Sequence, residues 1–308
     1  MTPRKNEPTR IPARGLVLLV LLTLAWGTNW PILKIASTGL PLFPFRAICA
    51  LGVGILMLSI AAANRERLRI PRDNWIGIGV TGFCNMTVWF ICSALAVRFT
   101  TSGHTAIAAY TMPLYVFLIG TLFLGERPTP GKWLGLALGL AAIALLVTRD
   151  FESTYGSWLG IAVMSVGAVF WALSSIVVKR VRWRISATAV VGWQALIGGL
   201  PIIVIGILQF PDLHEFPGDA VLATIYAIVV GIAFAHWLYF KILQLVPVWV
   251  ASLSTLAVPA VGLVSGALFL NEPLGWVEIL ALFLLVGGIS TVLPRPGRSS
   301  SGGSGEGS

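Results

Sequence analysis

The sequence predicts an all-α membrane protein: ten transmembrane helices in two inverted five-helix repeats, with the N- and C-termini both cytoplasmic. Three observations predict it. Of the 308 residues, 56% are hydrophobic and only 11% are charged, whereas soluble domains carry about 25% charged residues. Apolar stretches of roughly 18–25 residues recur along the chain, each able to cross a ~30 Å hydrocarbon layer as a helix. The chain also repeats itself. Phe123-Leu124-Gly125-Glu126 returns as Phe269-Leu270-Asn271-Glu272, 146 positions later, and Pro113 returns as Pro259 at the same offset. Trp26 and Lys34 return as Trp171 and Lys179, 145 positions on. A unit of five helices ends on the opposite side of the membrane from where it began, so its copy must be inserted upside down.

The first repeat (15–148) takes its helices at 15–35, 45–62, 75–97, 102–124 and 131–147. The second (149–293) takes them at 157–178, 186–208, 220–243, 250–270 and 275–293. Residues 1–14 form an N-terminal tail, and the Gly/Ser-rich residues 294–308 form a flexible C-terminal one. The first apolar run follows basic residues but is too long for a signal-peptide core, and no Ala-x-Ala site follows it, so it counts as a helix. Orientation follows from charge. With the N-terminus in the cytoplasm, 17 of the 21 Lys and Arg residues fall on the cytoplasmic side and only Lys34, Arg98 and Arg149 on the other, with Arg46 just inside the second helix. This is the positive-inside pattern. It accounts for the net charge of +9 without nucleic acid. The acidic stretch from Pro211 to Glu215 falls on the outer side.

Local signals refine the helices. Thr129 can N-cap the fifth, with Pro130 in its first turn. Glu126 and Glu272 each face the positive end of the helix that follows them, as helix-start fixtures or as proton carriers. Pro113 and Pro259 lie mid-helix in the fourth and ninth stretches, where each removes a hydrogen bond and bends the helix as a kink or hinge. Gly135/Gly139, Gly156/Gly160 and Gly262/Gly266 allow close helix packing. Trp75, Trp133, Trp158, Trp249 and Trp276 begin helices, as interfacial anchors do. Cys49, Cys84 and Cys92 lie within helices, so no disulfide or metal site is expected.

Other aromatics lie deep: Trp26, Trp30, Trp89, Trp171 and Trp237. Asn29 sits beside Trp26 and Trp30, Asn85 one turn from Trp89, and Ser174 and Ser175 one turn beyond Trp171; His236, Tyr239 and Phe240 share a face. Polar groups at that depth rarely face lipid, so a mostly apolar, aromatic chamber is expected between the halves.

The stretch from Thr105 through Pro113, with Gly125-Glu126, Thr129, Gly135 and Gly139, resembles the signature of the EamA-type carriers of the drug/metabolite transporter superfamily. The second copy, from Ala251 through Pro259 with Glu272, Gly287 and Gly288, fits less tightly, because Asn271 stands where Gly125 stands in the first. Arg46 resembles a recurrent family position. The likeness covers roughly residues 15–293 and, within the superfamily, is greatest to the YddG-like exporters of aromatic and other hydrophobic amino acids. It implies a ten-helix carrier of a bacterial inner membrane that moves solutes outward.

Gly131-Lys132 is followed by Trp133 rather than Ser or Thr, so no nucleotide-binding loop is present to couple ATP. No carboxylate lies at mid-depth; Glu278 is only one turn inside the last helix. Movement down the substrate gradient by alternating access is therefore the first expectation, and proton antiport through His104 or His236 the second. The carboxylate of an amino-acid zwitterion would meet Arg46 or Lys34, although Lys34 also suits snorkelling to the interface. Its ammonium would meet Asn29, Asn85, a backbone carbonyl or a tryptophan face. Its apolar side chain would rest on Trp26, Trp89, Trp171 and Trp237, with Tyr110, Ser175, His236 and Tyr239 completing the lining. The alternatives are a proton-coupled drug/metabolite efflux carrier and an exchanger of sugar phosphates or nucleotide-sugars, which would need a Lys/Arg cluster. An enzyme is disfavoured, since Ser102-Gly103-His104 lacks the Gly-x-Ser-x-Gly setting, and a pore lacks its ring of like charges. The expected partners are a small-molecule substrate and the lipid bilayer, with no cofactor and no nucleic acid; the oligomeric state is left open, a monomer being compatible with the sequence.

Overall fold

A computed structural model of the protein describes residues 13–124, 129–152, 158–210, 216–238, 242 and 248–292, and every regular element among them is helical. In chain order these are α1 (Ala13–Gly39), α2 (Leu42–Ala63), α3 (Arg72–Phe99), α4 (Ser102–Ala109), α5 (Met112–Leu124) and α6 (Pro130–Glu152). Then follow α7 (Trp158–Arg180), α8 (Ala187–Gly198), α9 (Leu200–Leu208), α10 (Gly218–Leu238), α11 (Val248–Leu270) and α12 (Trp276–Val292). Among the described residues, seven helical runs are long and apolar enough to cross a membrane, α4 and α5 counting as one. The pair α8 and α9, bent by 47° at Gly199, makes an eighth, and α11 and α12 add shorter apolar stretches. We call the end of the bundle that holds Ala13 proximal and the end that holds Gly39 distal.

Capping side chains fix several helix starts. The Thr101 hydroxyl accepts from the His104 N–H at 3.1 Å and opens α4; Ser186 does the same for Ala189 of α8 at 3.1 Å. Thr129 opens α6 as expected, accepting from the Lys132 N–H at 3.4 Å. Helix α2 closes with the Glu66 N–H on Ala61 O and the Arg65 N–H on Ala62 O, both at 2.9 Å. That paired closure places Arg65 at the left-handed position, with φ 55°.

The two prolines at matching sequence positions behave differently. At Pro113 the run is interrupted: α4 stops at Ala109, Tyr110 and Thr111 form a turn, and α5 restarts at Met112. Pro113 has no N–H to bond one turn back, so the ladder opens just before it. Pro259 instead sits within continuous α11, as Pro31 sits within α1.

Packing is densest between the halves: α1 lies on α11, α6 on α12, α2 on α9 and α3 on α7. Glycines set the approach. Helices α3 and α8 cross at Gly82 and Gly198, where a methyl on Gly198 would lie 2.3 Å from Gly82 Cα. Gly288 of α12 opposes the backbone at Gly135 and Gly139 of α6, which is the packing role expected of that glycine pair. Among the described residues, three segments carry π-helical hydrogen bonding: Phe83–Val88 in α3, Gln194–Gly198 in α8 and Ala227–Phe234 in α10. Each holds one residue more than a regular turn needs, a feature that recurs at functional sites.

Candidate functional site

Helices α1, α3 and α7 meet through tryptophans. Trp30 is buried and meets Trp89 edge-on with ring centroids 6.4 Å apart; Trp89 lies tilted against Trp171 at 4.5 Å. One turn before Trp30, Trp26 lies edge-on to His236 of α10 at 6.4 Å. His236 Nδ1 is 2.7 Å from Ile232 O; a carbonyl only accepts, so Nδ1 carries a proton. The π segment of α3 supplies Asn85. Its Oδ1 and the Oδ1 of Asn29 on α1 are both buried and have no hydrogen-bond donor. Asn29 lies against the π segment of α10, where a methyl on Gly231 would be 2.2 Å from Asn29 Oδ1. A buried acceptor without a donor costs about 1–3 kcal/mol, so these two oxygens are receptive to a donor brought by a ligand.

The remaining candidates are placed as follows. Tyr110 is buried in the turn between α4 and α5. Ser175 donates to Trp171 O of its own helix at 2.9 Å. Trp237 is 48% exposed and stacks on the likewise exposed Phe234 at 6.0 Å, so its ring contact lies apart from the tryptophan line. Tyr239, Glu126 and the Pro211–Glu215 stretch lie outside the described residues, as does the side chain of Lys179. Sequence reasoning passed over the link between Thr28 Oγ1 of α1 and the Tyr226 hydroxyl of α10, 2.7 Å apart.

Arg46 is only 4% exposed. Its guanidinium lies between the rings of Phe45 and Phe90, 4.9 and 4.8 Å from the centroids, and Nη2 donates to Ser93 Oγ at 2.6 Å, while Nε finds no acceptor. Aromatic faces stabilise a desolvated cation by about 2 kcal/mol. The unfilled Nε leaves room for one more acceptor.

At the distal end the structure corrects two expectations. Lys34 does not snorkel freely: its Nζ lies 2.8 Å from Glu272 Oε1 and 3.0 Å from Thr100 O. Glu272 does not cap the helix that follows it. It caps α4 of the first half, accepting from Ser102 N–H at 2.8 and 2.9 Å and from Ser102 Oγ at 2.6 Å. Gly266 makes this possible, since a methyl there would meet Glu272 Oε2 at 2.5 Å. The start of α12 is served instead by Glu278, whose Oε2 accepts from the Gly275 N–H at 2.7 Å, half of a capping box. The Lys34–Glu272 pair borders a cavity of about 460 Å³ that Thr38, Thr101, Asp219 and Asn271 also line.

Behind this latch lies a second pair. His104 Nε2 and Glu278 Oε1 are 3.2 Å apart, with side chains 2% and 1% exposed, and His104 Nδ1 is 3.4 Å from Thr100 Oγ1. His104 was a sequence candidate; Glu278 was set aside as too close to the helix end. The spacing Gly275-x-x-Glu278 was the available signal for its cap, but nothing local shows that α4 brings a histidine to it.

The sequence pattern of the EamA-like transporter family matches residues 13–148 and again residues 158–293. Among similar proteins, "Uncharacterized transporter YvbV" of Bacillus subtilis is 25% identical over 91% of each chain. A "Probable amino-acid metabolite efflux pump" of Escherichia coli is 22% identical over 89% of this chain and 92% of its own. A solved crystal structure superposes with a TM-score of 0.61 at 22% identity, covering 91% of this chain and 96% of the other; at that identity it speaks for the fold alone.

Proposed function

From the premise that this chain belongs to the EamA-like transporter family, and is thus a multi-pass membrane transporter with two family repeats, we propose that it exports aromatic and other hydrophobic amino acids. The topology we propose is ten spans, the second five inverted on the first, with both termini cytoplasmic in a bacterial inner membrane. Loading and release would follow alternating access about the interface between the halves.

The observation that carries the substrate class is the pair of buried, donor-free oxygens of Asn29 and Asn85 set among Trp26, Trp30, Trp89 and Trp171. An ammonium group supplies several donors and is attracted by indole faces. A flat apolar side chain can stack on the indole rings. Arg46, with its unfilled Nε, is the cation on hand for a carboxylate. The efflux-pump name of the Escherichia coli relative agrees with this reading. A phosphate-bearing substrate is less well served, since Arg46 is a single cation rather than a cluster.

The test is counterflow with the purified full chain in proteoliposomes, using labelled L-tryptophan against a panel of amino acids, sugar phosphates and dipeptides. Saturable exchange with aromatic and branched amino acids is expected, and exchange with sugar phosphates alone would overturn the reading. Trp89→Ala removes an aromatic contact worth about 1.5 kcal/mol and should lower tryptophan exchange about tenfold. Unchanged exchange would remove Trp89 from the site.

A further inference from the structure

We propose that the arginines of two loops at the proximal end form a binding site for the headgroup of an anionic phospholipid, which bridges the two halves of the transporter there. The site lies apart from the tryptophans and serves whichever solute is carried.

One loop (64–71) joins α2 to α3 in the first family repeat, and the other (181–186) joins α7 to α8 in the second. The two interlock. Asn74, at the head of α3, donates to Arg182 O and accepts from the Arg184 N–H, each at 3.0 Å. Glu66 accepts from Ser186 Oγ, and Trp193 Nε1 donates to Leu68 O at 2.8 Å. Beneath them Ala61, Ile70, Ile78, Ile185, Ala189 and Val190 form one buried apolar cluster. The backbone that carries the arginines is therefore held from below by both halves.

This platform gathers like charge. Arg65, Arg67, Arg69 and Arg72 on the first side and Arg180, Arg182 and Arg184 on the second are all exposed. The acidic residues of the two loops and the adjoining turn are Glu66 and Asp73. Glu66 is half-buried and engaged by Ser186. Asp73 Oδ2 lies 3.4 Å from Arg184 Nη2, with both side chains 66% exposed, a setting in which water screens the pair. The other six arginines have no carboxylate within ion-pair reach. Fastening the halves here thus draws positive charges together, and an anion between them offsets the repulsion.

Depth and residue type select the anion. Trp75 and Ile76, 51% and 81% exposed, follow directly after Arg72 at the head of a membrane span. A tryptophan exposed at the start of such a helix sits at headgroup level, which sets Arg72 beside lipid phosphates. Topology requires only positive charge, which lysine supplies equally well. The described cations of this platform are arginines, whose planar forks bind phosphate oxygens in pairs. A leaflet containing anionic lipid concentrates phosphate against a basic segment. Arg72 stands two residues before Asn74, and Asn74 is bonded to Arg182 and Arg184. A phosphate that takes donors from Arg72 and from Arg182 or Arg184 ties one half to the other.

The test uses the full chain, purified and stripped of lipid in detergent, with phosphatidylglycerol as the probe and phosphatidylcholine as its zwitterionic counterpart. Native mass spectrometry should show severalfold greater retention of phosphatidylglycerol, and the melting temperature should rise with phosphatidylglycerol and stay level with phosphatidylcholine. Added salt should weaken both effects. Arg72→Gln alone and Arg182→Gln with Arg184→Gln should each abolish most of the preference, since each removes one side of the bridge. Asp73→Asn frees Arg184 and should raise retention severalfold, a gain that a misfolded chain does not give. Arg14→Gln changes an exposed cation at the same end but outside the loops and should leave retention unaltered. Equal retention of the two lipids, or an equal loss with Arg14→Gln, would overturn the inference. Loss of half the bound lipid in each loop variant would show two separate contacts and no bridge. Equal stabilisation by inorganic phosphate or by a short DNA duplex would show a general anion site and would likewise sink the lipid assignment. These readouts stand whether or not aromatic amino acids are exchanged, so the lipid site and the substrate reading fail separately.

Discussion

Arg65 and Asn271 are the two non-glycine residues with left-handed backbone among the described residues, at φ 55° and 51°. Asparagine adopts that conformation readily; arginine does so at a cost of about 1 kcal/mol. Arg65→Gly should therefore stabilise the protein by about 1 kcal/mol, read as a rise of about 2 °C in melting temperature in detergent. No change, or a fall, would mean that the Arg65 side chain makes a compensating contact. Asn271 also resolves a departure seen in the sequence. It stands where the first repeat has Gly125, and its left-handed backbone is the one a glycine would serve there. At this scale the sequence named Arg46, Trp89 and His104 as residues of interest, because charge and aromaticity at depth are visible in composition. It misassigned Glu272 and passed over Glu278 because their partners come from α4, 169 to 174 positions away in the chain. Spacing along one helix carries no information about a helix start brought in from elsewhere.

Gly198 and Gly82 let α3 and α8 touch backbone to backbone. Gly198→Ala would place a methyl 2.3 Å from Gly82 Cα, whereas a methyl on Gly79, one turn earlier on α3, meets nothing within 4 Å. Gly198→Ala should thus force the helices apart and cost on the order of 3 kcal/mol, as overpacking does. Gly79→Ala should be neutral or gain up to about 1 kcal/mol of helix propensity. Thermal unfolding of the two variants side by side checks the crossing, and equal effects would place it elsewhere. Helix positions were the most legible part of the sequence, because twenty apolar residues between polar turns leave the backbone one economical way to bond itself. The interruption at Tyr110–Thr111 was half legible: Pro113 announced a lost bond but not where the ladder would open, and at Pro259 the helix assignment runs on unbroken. The π segments were not legible. Phe83-Cys84-Asn85-Met86-Thr87-Val88 reads as ordinary apolar helix, and its surplus residue is fixed by contact with α7 and α8.

Across the whole molecule, the two halves are fastened at both ends. At the proximal end buried Asn74 donates to Arg182 O and accepts from the Arg184 N–H, each at 3.0 Å, while Trp193 Nε1 donates to Leu68 O at 2.8 Å. At the distal end the fastening is Glu272 on Lys34 and α4. Asn74→Ala removes two part-buried hydrogen bonds and should cost about 2 kcal/mol. Trypsin should then cut faster after Arg182 and Arg184, and an unchanged cleavage rate would show that the connection is held by other contacts. The repeat period was plain in the sequence, but which ends meet was not, since fastening depends on how one half leans on the other. That same period gives one irregularity a history. The π segment of α3 begins at Phe83 and that of α10 at Ala227, 144 positions later; they end at Val88 and Phe234, 146 apart. Those offsets bracket the spacing between the repeats, whereas the π segment of α8 has no counterpart in α2, which is regular throughout. An insertion shared by both copies at one place was inherited rather than acquired twice. The extra residue beside Asn85 is then a feature of the repeat itself, carried by both family copies at one place.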